Sequence, residues 1–392
     1  MSPVHLQLTL PGYRILRVES NDLMLIHLEV LDTPTGCPYC AGSSLRSKGR
    51  YERRVRHLDA FGHITRVVIS CRRYACRPCE RSFVQALPGI MPGRHSTEPW
   101  RQEMYLRHHE GVPASVLAKR EYLGPATVGR IYGQFTDLKA RERLSLDCPQ
   151  VLGIDEHTLH KGMRFATTFC DLKNHRVFDI AQGRSEAELV PFLSRLRGRE
   201  KVRVVCIDLS NTYRSMIRRW FPNALIVADR FHAVRLAGMH LMRVARQVCP
   251  DLGWKRSWLG LLRARRDRLD KERWLRLKAL FAEKPALEGI YWIKEKLCRI
   301  LREKMLSRGA CRGQAQRLLA MIDTLRKTPF EAALTLAKSL SEWIEEIARM
   351  WRFSRNNGIT EGFHRKMKLI QRRAYGFRSF SNYRLRVIAQ CG

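Results

Sequence analysis

Two groups of residues in this chain have types and spacings that chemistry can use. The first are acids that close apolar runs: Val151-Leu152-Gly153-Ile154-Asp155, Val204-Val205-Cys206-Ile207-Asp208 and Leu225-Ile226-Val227-Ala228-Asp229. Short β-branched runs bounded by polar and helical segments read as strands buried on both faces. Open α/β sheets place ligands at the carboxyl ends of their strands, so acids emerging there can meet in one cleft although distant in sequence. Carboxylates suit hard divalent cations, and the stretch from Val151 to Asp229 reads as a metal-holding catalytic core.

The second group is thiol. Cys37-Pro38-Tyr39-Cys40 and Cys76-Arg77-Pro78-Cys79 are two Cys-x-x-Cys knuckles, which together can supply four thiolates to one tetrahedral Zn2+. The gap between them is longer than the usual ribbon spacing. It contains Val55 and Val67-Val68-Ile69 flanked by arginines, so a β-ribbon carrying the second knuckle is expected. His57 and Cys71 are spare ligands, left out because a lone histidine or cysteine on a strand is more often structural. Arg46, Lys48, Arg50, Arg53, Arg54, Arg56, Arg72 and Arg73 around the knuckles favour DNA as the partner.

The elements that must position these residues belong to a strongly basic chain. In 392 residues, 72 Lys and Arg stand against 37 Asp and Glu, a formal charge of +35 that points to nucleic acid rather than to solubility needs. No run of eighteen apolar residues and no basic-then-apolar start is present, so no membrane span or signal peptide is expected and the location expected is cytoplasmic, on the nucleoid. In that compartment the 12 cysteines are thiols or metal ligands, and Cys170 and Cys206 read as core.

Along the chain, residues 1–36 alternate like a strand leading in, and 94–135 change to a helical period. Trp100, Met104 and Tyr105 share a face of a first helix, Gly111-Val112-Pro113 opens a second, and Leu123-Gly124-Pro125 turns into a third. This reads as a helix-turn-helix whose Thr127, Arg130 and Gln134 face DNA; a plain three-helix bundle is the bland alternative. Residues 136–149 read as a linker. In the core, Phe165 to Asp171 and Val177 to Ile180 are further strands. Helices follow over Ser185 to Leu196 and through Tyr213, Ile217 and Trp220. Residues 230–350 are helical, with Trp254, Trp258, Trp274 and Trp292 mainly as packing. Asn356-Asn357-Gly358-Ile359 reads as a turn before Thr360, a cap for a helix on which His364, Arg365, Lys368 and Arg372 share a face with Glu361. Arg372-Arg373-Ala374-Tyr375-Gly376-Phe377-Arg378 continues a basic, aromatic surface for DNA backbone contacts.

Three strands, then helix-strand-helix-strand-helix, is the order of the ribonuclease H-like fold. Over nearly its whole length the chain resembles the DDE transposases of bacterial insertion sequences, in particular the ISL3 family. The resemblance rests on Gly153-Ile154-Asp155-Glu156, Asp208, Phe221-Pro222-Asn223-Ala224, Asp229-Arg230-Phe231-His232 and Thr360-Glu361-Gly362. It implies a catalytic triad of Asp155, Asp208 and Glu361 holding two Mg2+ or Mn2+ ions, with Asp155 bridging them. It also implies a helical insertion between the second and third acids. Of the competing acids, Glu156 should point to the opposite face of its strand, Asp171 and Asp179 end strands, and Asp229 is favoured as the cap of the helix at Arg230 over a metal ligand.

The expected organisation is an α/β chain: a zinc-binding domain over 1–93, the helix-turn-helix domain and linker over 94–149, the first part of a ribonuclease H-like core over 150–229, an α-helical insertion over 230–350 and the rest of the core over 351–392. The expected function is a transposase that binds double-stranded DNA, both its terminal inverted repeats and a target, as a homodimer or higher oligomer, and cleaves and joins strands. The alternatives are a catalytically silent, zinc-dependent DNA-binding regulator and a structure-specific nuclease of the same fold.

Overall fold

Strict alternation builds the first sheet: in Met24–Val30 the side chains of Met24, Ile26, Leu28 and Val30 are buried and those between are not. The computed structural model describes residues 10–144, 146–160, 164–254, 256–353, 358–374, 376–377 and 379–392. It divides into two compact units between Leu138 and Lys139. The first unit begins with β1 (Tyr13–Ser20), β2 (Met24–Val30), β3 (Leu45–Arg56), β4 (Thr65–Cys76) and β5 (Ser82–Val84). Their order is β1-β2-β4-β3, with β5 on β4 and β2 parallel to β4. The single strand expected within residues 1–36 is a hairpin instead, because Asn21 and Asp22 supply turn chemistry in mid-run.

Helices α1 (Glu98–Glu110), α2 (Ala114–Arg120) and α3 (Pro125–Leu144) follow. Thr97 caps α1 by accepting from the Trp100 amide at 3.4 Å, and Gly111 ends it at φ 117°. Pro113 is the residue before α2 rather than its first, whereas Pro125 does open α3. Trp100, Met104, Leu117, Ala118, Val128 and Ile131 form the buried centre of the three helices. Residues 136–144, expected as linker, continue α3: no Gly or Pro interrupts them, and Lys139, Arg141, Glu142 and Arg143 are good helix formers.

In the second unit, β6 (Val151–His160), β7 (Arg164–Asp171) and β8 (Arg176–Gln182) form an antiparallel meander. Next come α4 (Glu186–Leu193), β9 (Val204–Ile207), α5 (Asn211–Trp220), β10 (Leu225–Ala228) and α6 (Arg230–Val248). The sheet order is β10-β9-β6-β7-β8, with β9 parallel to both β6 and β10. Val204, Val205, Cys206 and Ile207 are all buried, as a central parallel strand requires. Ser185 and Glu188 form a reciprocal capping box that starts α4, and Ser210 caps α5.

The chain from α6 onward is helical: α7 (Arg256–Arg263), α8 (Lys271–Glu283), α9 (Pro285–Arg302), α10 (Arg308–Arg326), α11 (Glu331–Glu342) and α12 (Ile344–Arg352). One apolar core runs without a break from Ile154, Val205 and Ile207 of the sheet to Leu301, Leu340 and Trp351 of these helices. The Arg349 guanidinium donates to the Ile226 carbonyl at 3.2 Å, and buried Glu346 accepts from Arg214 at 2.9 Å, so α12 is tied back to β10 and α5. Trp254, Trp258 and Trp274 are half-buried against that core, while Trp292 is exposed. Among the described residues no helix is long and apolar enough to cross a membrane.

Two last helices, α13 (Gly358–Arg373) and α14 (Phe380–Cys391), return to the sheet. Met367, Ile370, Tyr383, Val387 and Cys391 pack on Cys170, Leu172, Val177, Ile180 and Cys206. Thr360 is fully buried inside α13 rather than capping it. Asn356, Asn357, Tyr375 and Arg378 of the expected turn and basic surface lie outside the described residues.

Candidate active site and metal centres

The knuckles of the first unit have the same internal geometry. The Cys37 amide donates to the Gly42 carbonyl and the Cys76 amide to the Arg81 carbonyl, five residues on in each case, both at 2.9 Å. The residue after each second cysteine, Ala41 and Glu80, stands at φ 57°. Gly42 leaves room for the turn: a Cβ there would lie 3.1 Å from Pro78 Cγ and 3.3 Å from Cys40 Sγ. All four sulfurs, of Cys37, Cys40, Cys76 and Cys79, lie within 4.8 Å of one another, with Cys37–Cys79 at 3.6 Å and Cys40–Cys76 at 3.5 Å. Tetrahedral Zn2+ with Zn–S near ~2.3 Å needs sulfurs ~3.8 Å apart, so the set fits zinc. His57 is buried with Nδ1 2.9 Å from Thr97 Oγ1, and Cys71 donates to the Ile69 carbonyl at 3.4 Å; both serve the fold, outside this cluster.

The second site follows from strand register. Gly153 pairs with Cys206 across β6 and β9, and Ile207 with Ala228 across β9 and β10. Continuing both registers sets Asp155, Asp208 and Asp229 on one line across three adjacent strands. The Asp229 amide donates to the Ile207 carbonyl at 2.7 Å, holding that line where β10 ends. Asp208 Oδ1 meets His232 Nδ1 in a close contact, and Asp229 Oδ2 lies 3.2 Å from the same nitrogen. One ligand atom each from Asp208, Asp229 and His232 falls within 4.8 Å of the others. Asp229 also accepts from the Phe231 amide at 3.4 Å, so it caps α6 and faces the cluster at once. His232, three residues into that cap, was given no role by the sequence reading; an i, i+3 acid and imidazole at a helix start is the signal that could have found it.

Asp155 is enclosed, with a side chain 12% exposed. Burial first, and then the charge of Asp208, push its carboxyl up to about 7. His232 moves the other way for an imidazole in a protein interior: burial disfavours its charge, but the hydrogen bonds and charges of Asp208 and Asp229 outweigh this and carry it up to about 10. Carboxylates crowded in this way call for a cation, and an oxygen-rich set with one imidazole fits Mg2+ or Mn2+. Among the other acids, Glu156 is exposed next to Asp155 on β6. Asp171 accepts from the Lys173 and Asn174 amides, both at 3.1 Å, and shapes the β7–β8 turn. Asp179 is paired with Arg384 of α14 at 2.5 Å.

Glu361 stands in the first turn of α13, half-exposed, with Oε1 3.0 Å from Arg365. Arg365, Lys368, Arg372 and Arg373 are exposed, as expected of a basic face. His364 is not on it. It is buried on the stripe Thr360, His364, Met367 and Ile370, with Nδ1 3.6 Å from Asp155 Oδ2. The expectation of a DNA-facing His364 is corrected accordingly: a residue four after Thr360 and three before Met367 falls on the buried side of the helix. In α3, Arg130 and Gln134 are exposed and Thr127 is half-buried; Arg130 donates to Thr127 Oγ1 at 3.0 Å and Gln134 accepts from Arg101.

The first unit thus carries a four-cysteine cluster fit for zinc, and the second a mixed α/β core with acids aligned at its strand ends. Residues 152–387 match the ISL3 family described as transposase, and residues 33–79 match the family described as the zinc-finger of the transposases IS204, IS1001, IS1096 and IS1165. The chain belongs to the ISL3 transposase family. It is 27% identical over 404 residues to the transposase for insertion sequence element IS1001 of Bordetella parapertussis, spanning 96% of this chain and 95% of that protein.

Proposed function

We propose that this chain is a DNA transposase that reads the terminal inverted repeats of its own element and performs metal-dependent strand cleavage and strand transfer on a ribonuclease H-like core. The observation that carries the reading is the alignment of Asp155, Asp208 and Asp229 across three adjacent strands, with the helix that bears Glu361 reaching Asp155 through His364 Nδ1 at 3.6 Å. The strand order β10-β9-β6-β7-β8, with three antiparallel strands followed by two parallel ones, supports that core.

In this reading Asp155, Asp208 and Glu361 hold the catalytic ions, with Asp229 and His232 closing the side next to Asp208. Bound Mg2+ or Mn2+ would supply activation of the attacking water or 3′-hydroxyl and stabilisation of the leaving oxygen. The protein's own part is to fix the carboxylates before DNA arrives: the β6–β9–β10 register spaces the aspartates, and the amide of Glu156 holds Asp155 Oδ1 at 2.8 Å. Arg365, Lys368, Arg372 and Arg373, exposed on α13, neutralise the phosphates on either side of the scissile one. Thr127, Arg130 and Gln134 of α3 read the repeat in the major groove as a helix-turn-helix. The zinc knuckles set the ribbon beside them, and two or more copies bring two ends together.

The test is purified protein on labelled repeat-end oligonucleotides with Mg2+ or Mn2+. Strand-joined products that vanish in Asp155→Asn and Asp208→Asn support the proposal. Binding without cutting would make the chain a regulator, and cutting indifferent to end sequence would make it a nuclease.

A further inference from the structure

Four buried polar side chains from four different elements form a hydrogen-bonded line whose last nitrogen, His364 Nδ1, stands in ion-pair range of Asp155, farther than a hydrogen bond. Tyr383 Oη of α14 lies 3.0 Å from His157 Nε2 of β6, and His157 Nδ1 lies 3.1 Å from Thr168 Oγ1 of β7. Thr168 Oγ1 lies 3.0 Å from His364 Nε2 of α13, and His364 Nδ1 lies 3.6 Å from Asp155 Oδ2. Tyr383 is 1% exposed, Thr168 0%, His157 5% and His364 9%, so solvent does not compete for these groups. No apolar packing requirement explains the row, since Phe for Tyr383 and Leu or Met for the histidines would fill much the same space without desolvating polar atoms.

The direction of the line is set by its charged end. Once a bound cation keeps Asp155 ionised, the nitrogen facing its carboxylate carries the proton, so His364 presents Nδ1–H to Asp155 and keeps Nε2 as an acceptor. Thr168 then donates to His364 and accepts from His157 Nδ1–H, which leaves His157 Nε2 to accept from the tyrosine hydroxyl. Each link then pairs one donor with one acceptor with both imidazoles neutral, and the opposite polarity would aim a lone pair at the carboxylate. Met367 Sδ, 4.0 Å from Thr168 Oγ1, is a weak acceptor that does not alter the order.

We infer that Tyr383, His157 and Thr168 are positioning residues that lock the tautomer and ring plane of His364, which in turn orients the Asp155 carboxylate for its ion. The inference rests on Asp155 being a metal ligand, as proposed above. It gives α14, at the end of the chain, a part in metal binding without touching metal or DNA. Outer hydrogen bonds of this kind fix the orientation and basicity of metal ligands.

The experiment is a Mn2+ titration of the full-length, zinc-loaded protein, with free ion counted by electron paramagnetic resonance, and melting temperature recorded for each variant. His364→Leu, which removes the donor, is expected to weaken binding roughly 10–100-fold. His364→Asn, whose amide nitrogen occupies the place of Nδ1, is expected to recover most of that loss. Tyr383→Phe, the mildest change, is expected to weaken binding several-fold while the protein stays folded, and to shift the histidine ring 15N signals from Nδ1-protonated toward Nε2-protonated His364. Asp155→Asn separates the two claims. If it binds Mn2+ like wild type, the proposed function fails at its root. If it loses binding while His364→Leu and Tyr383→Phe retain wild-type affinity, the catalytic reading stands and the positioning line is overturned.

Discussion

Replacing Asp155 by Asn should stabilise the second unit when divalent cations are absent, although it removes a proposed catalytic group. The native carboxyl is pushed from 3.8 up to about 7, because it is buried beside Asp208. In the unfolded chain it titrates near its ordinary value. Between those limits the native state holds a proton that the unfolded state has released, so stability falls as pH rises from about 4 to 7. About three pKa units at 1.36 kcal/mol each give an upper bound of ~4 kcal/mol, and relaxation around His232 brings the expected figure to about 2–4 kcal/mol. Asn retains an oxygen for the Glu156 amide but carries no charge. In Mg2+-free buffer with zinc retained, urea unfolding followed by tryptophan fluorescence isolates the second unit, since only Trp100 of the 8 tryptophans precedes Lys139. Asp155→Asn should exceed wild type by only about 1 kcal/mol near pH 4.5 and by about 2–4 kcal/mol at pH 8. Added Mn2+ should then raise wild type and leave the variant unmoved. A variant less stable than wild type at pH 8, or a difference independent of pH, would refute the reasoning.

Three further outcomes are expected. Cys76→Ser should lose bound zinc by atomic absorption, and with it repeat binding by gel shift, while the second unit's melting is unchanged. Arg384→Met should cost about 3–5 kcal/mol by leaving buried Asp179 unpaired, and Asp179→Asn in the same chain should recover most of it in a double-mutant cycle. Arg130→Ala should weaken repeat binding and lower the slope of log affinity against log salt by about 1 if it meets a phosphate; a loss confined to one base position would make it a base reader instead.

Much of the site was legible because its parts are local. An apolar β-branched run ending in an acid announces a buried strand and what stands at its carboxyl end, so Asp155, Asp208 and Asp229 could be named before their register was known. The Cys-x-x-Cys pairs were equally plain, since knuckle geometry is contained within six residues. What sequence left open depends on facing. His364 sits among basic residues in sequence, yet Thr360, Met367 and Ile370 mark its side of α13 as the buried one, and a polar stripe hides from hydropathy. Sequence leaves Asp229 open as cap or ligand, and the structure has it capping α6 with one oxygen and facing His232 with the other. The line from Tyr383 to Asp155 could not be read at all, because its first bond joins residues 226 positions apart. The continuation of α3 through residues 136–144 was missed for the opposite reason: charged residues without an apolar stripe read as linker, although their helix propensity is high.

The central claim is that Asp155, Asp208 and Glu361 share catalytic ions, and anomalous scattering from Mn2+-soaked crystals of the protein bound to a repeat end tests it most directly. Manganese peaks are expected against Asp155 and Asp208, with the Glu361 carboxylate released from Arg365 and turned onto one of them. Peaks that leave Glu361 unengaged, or no peak beside Asp155, would contradict it.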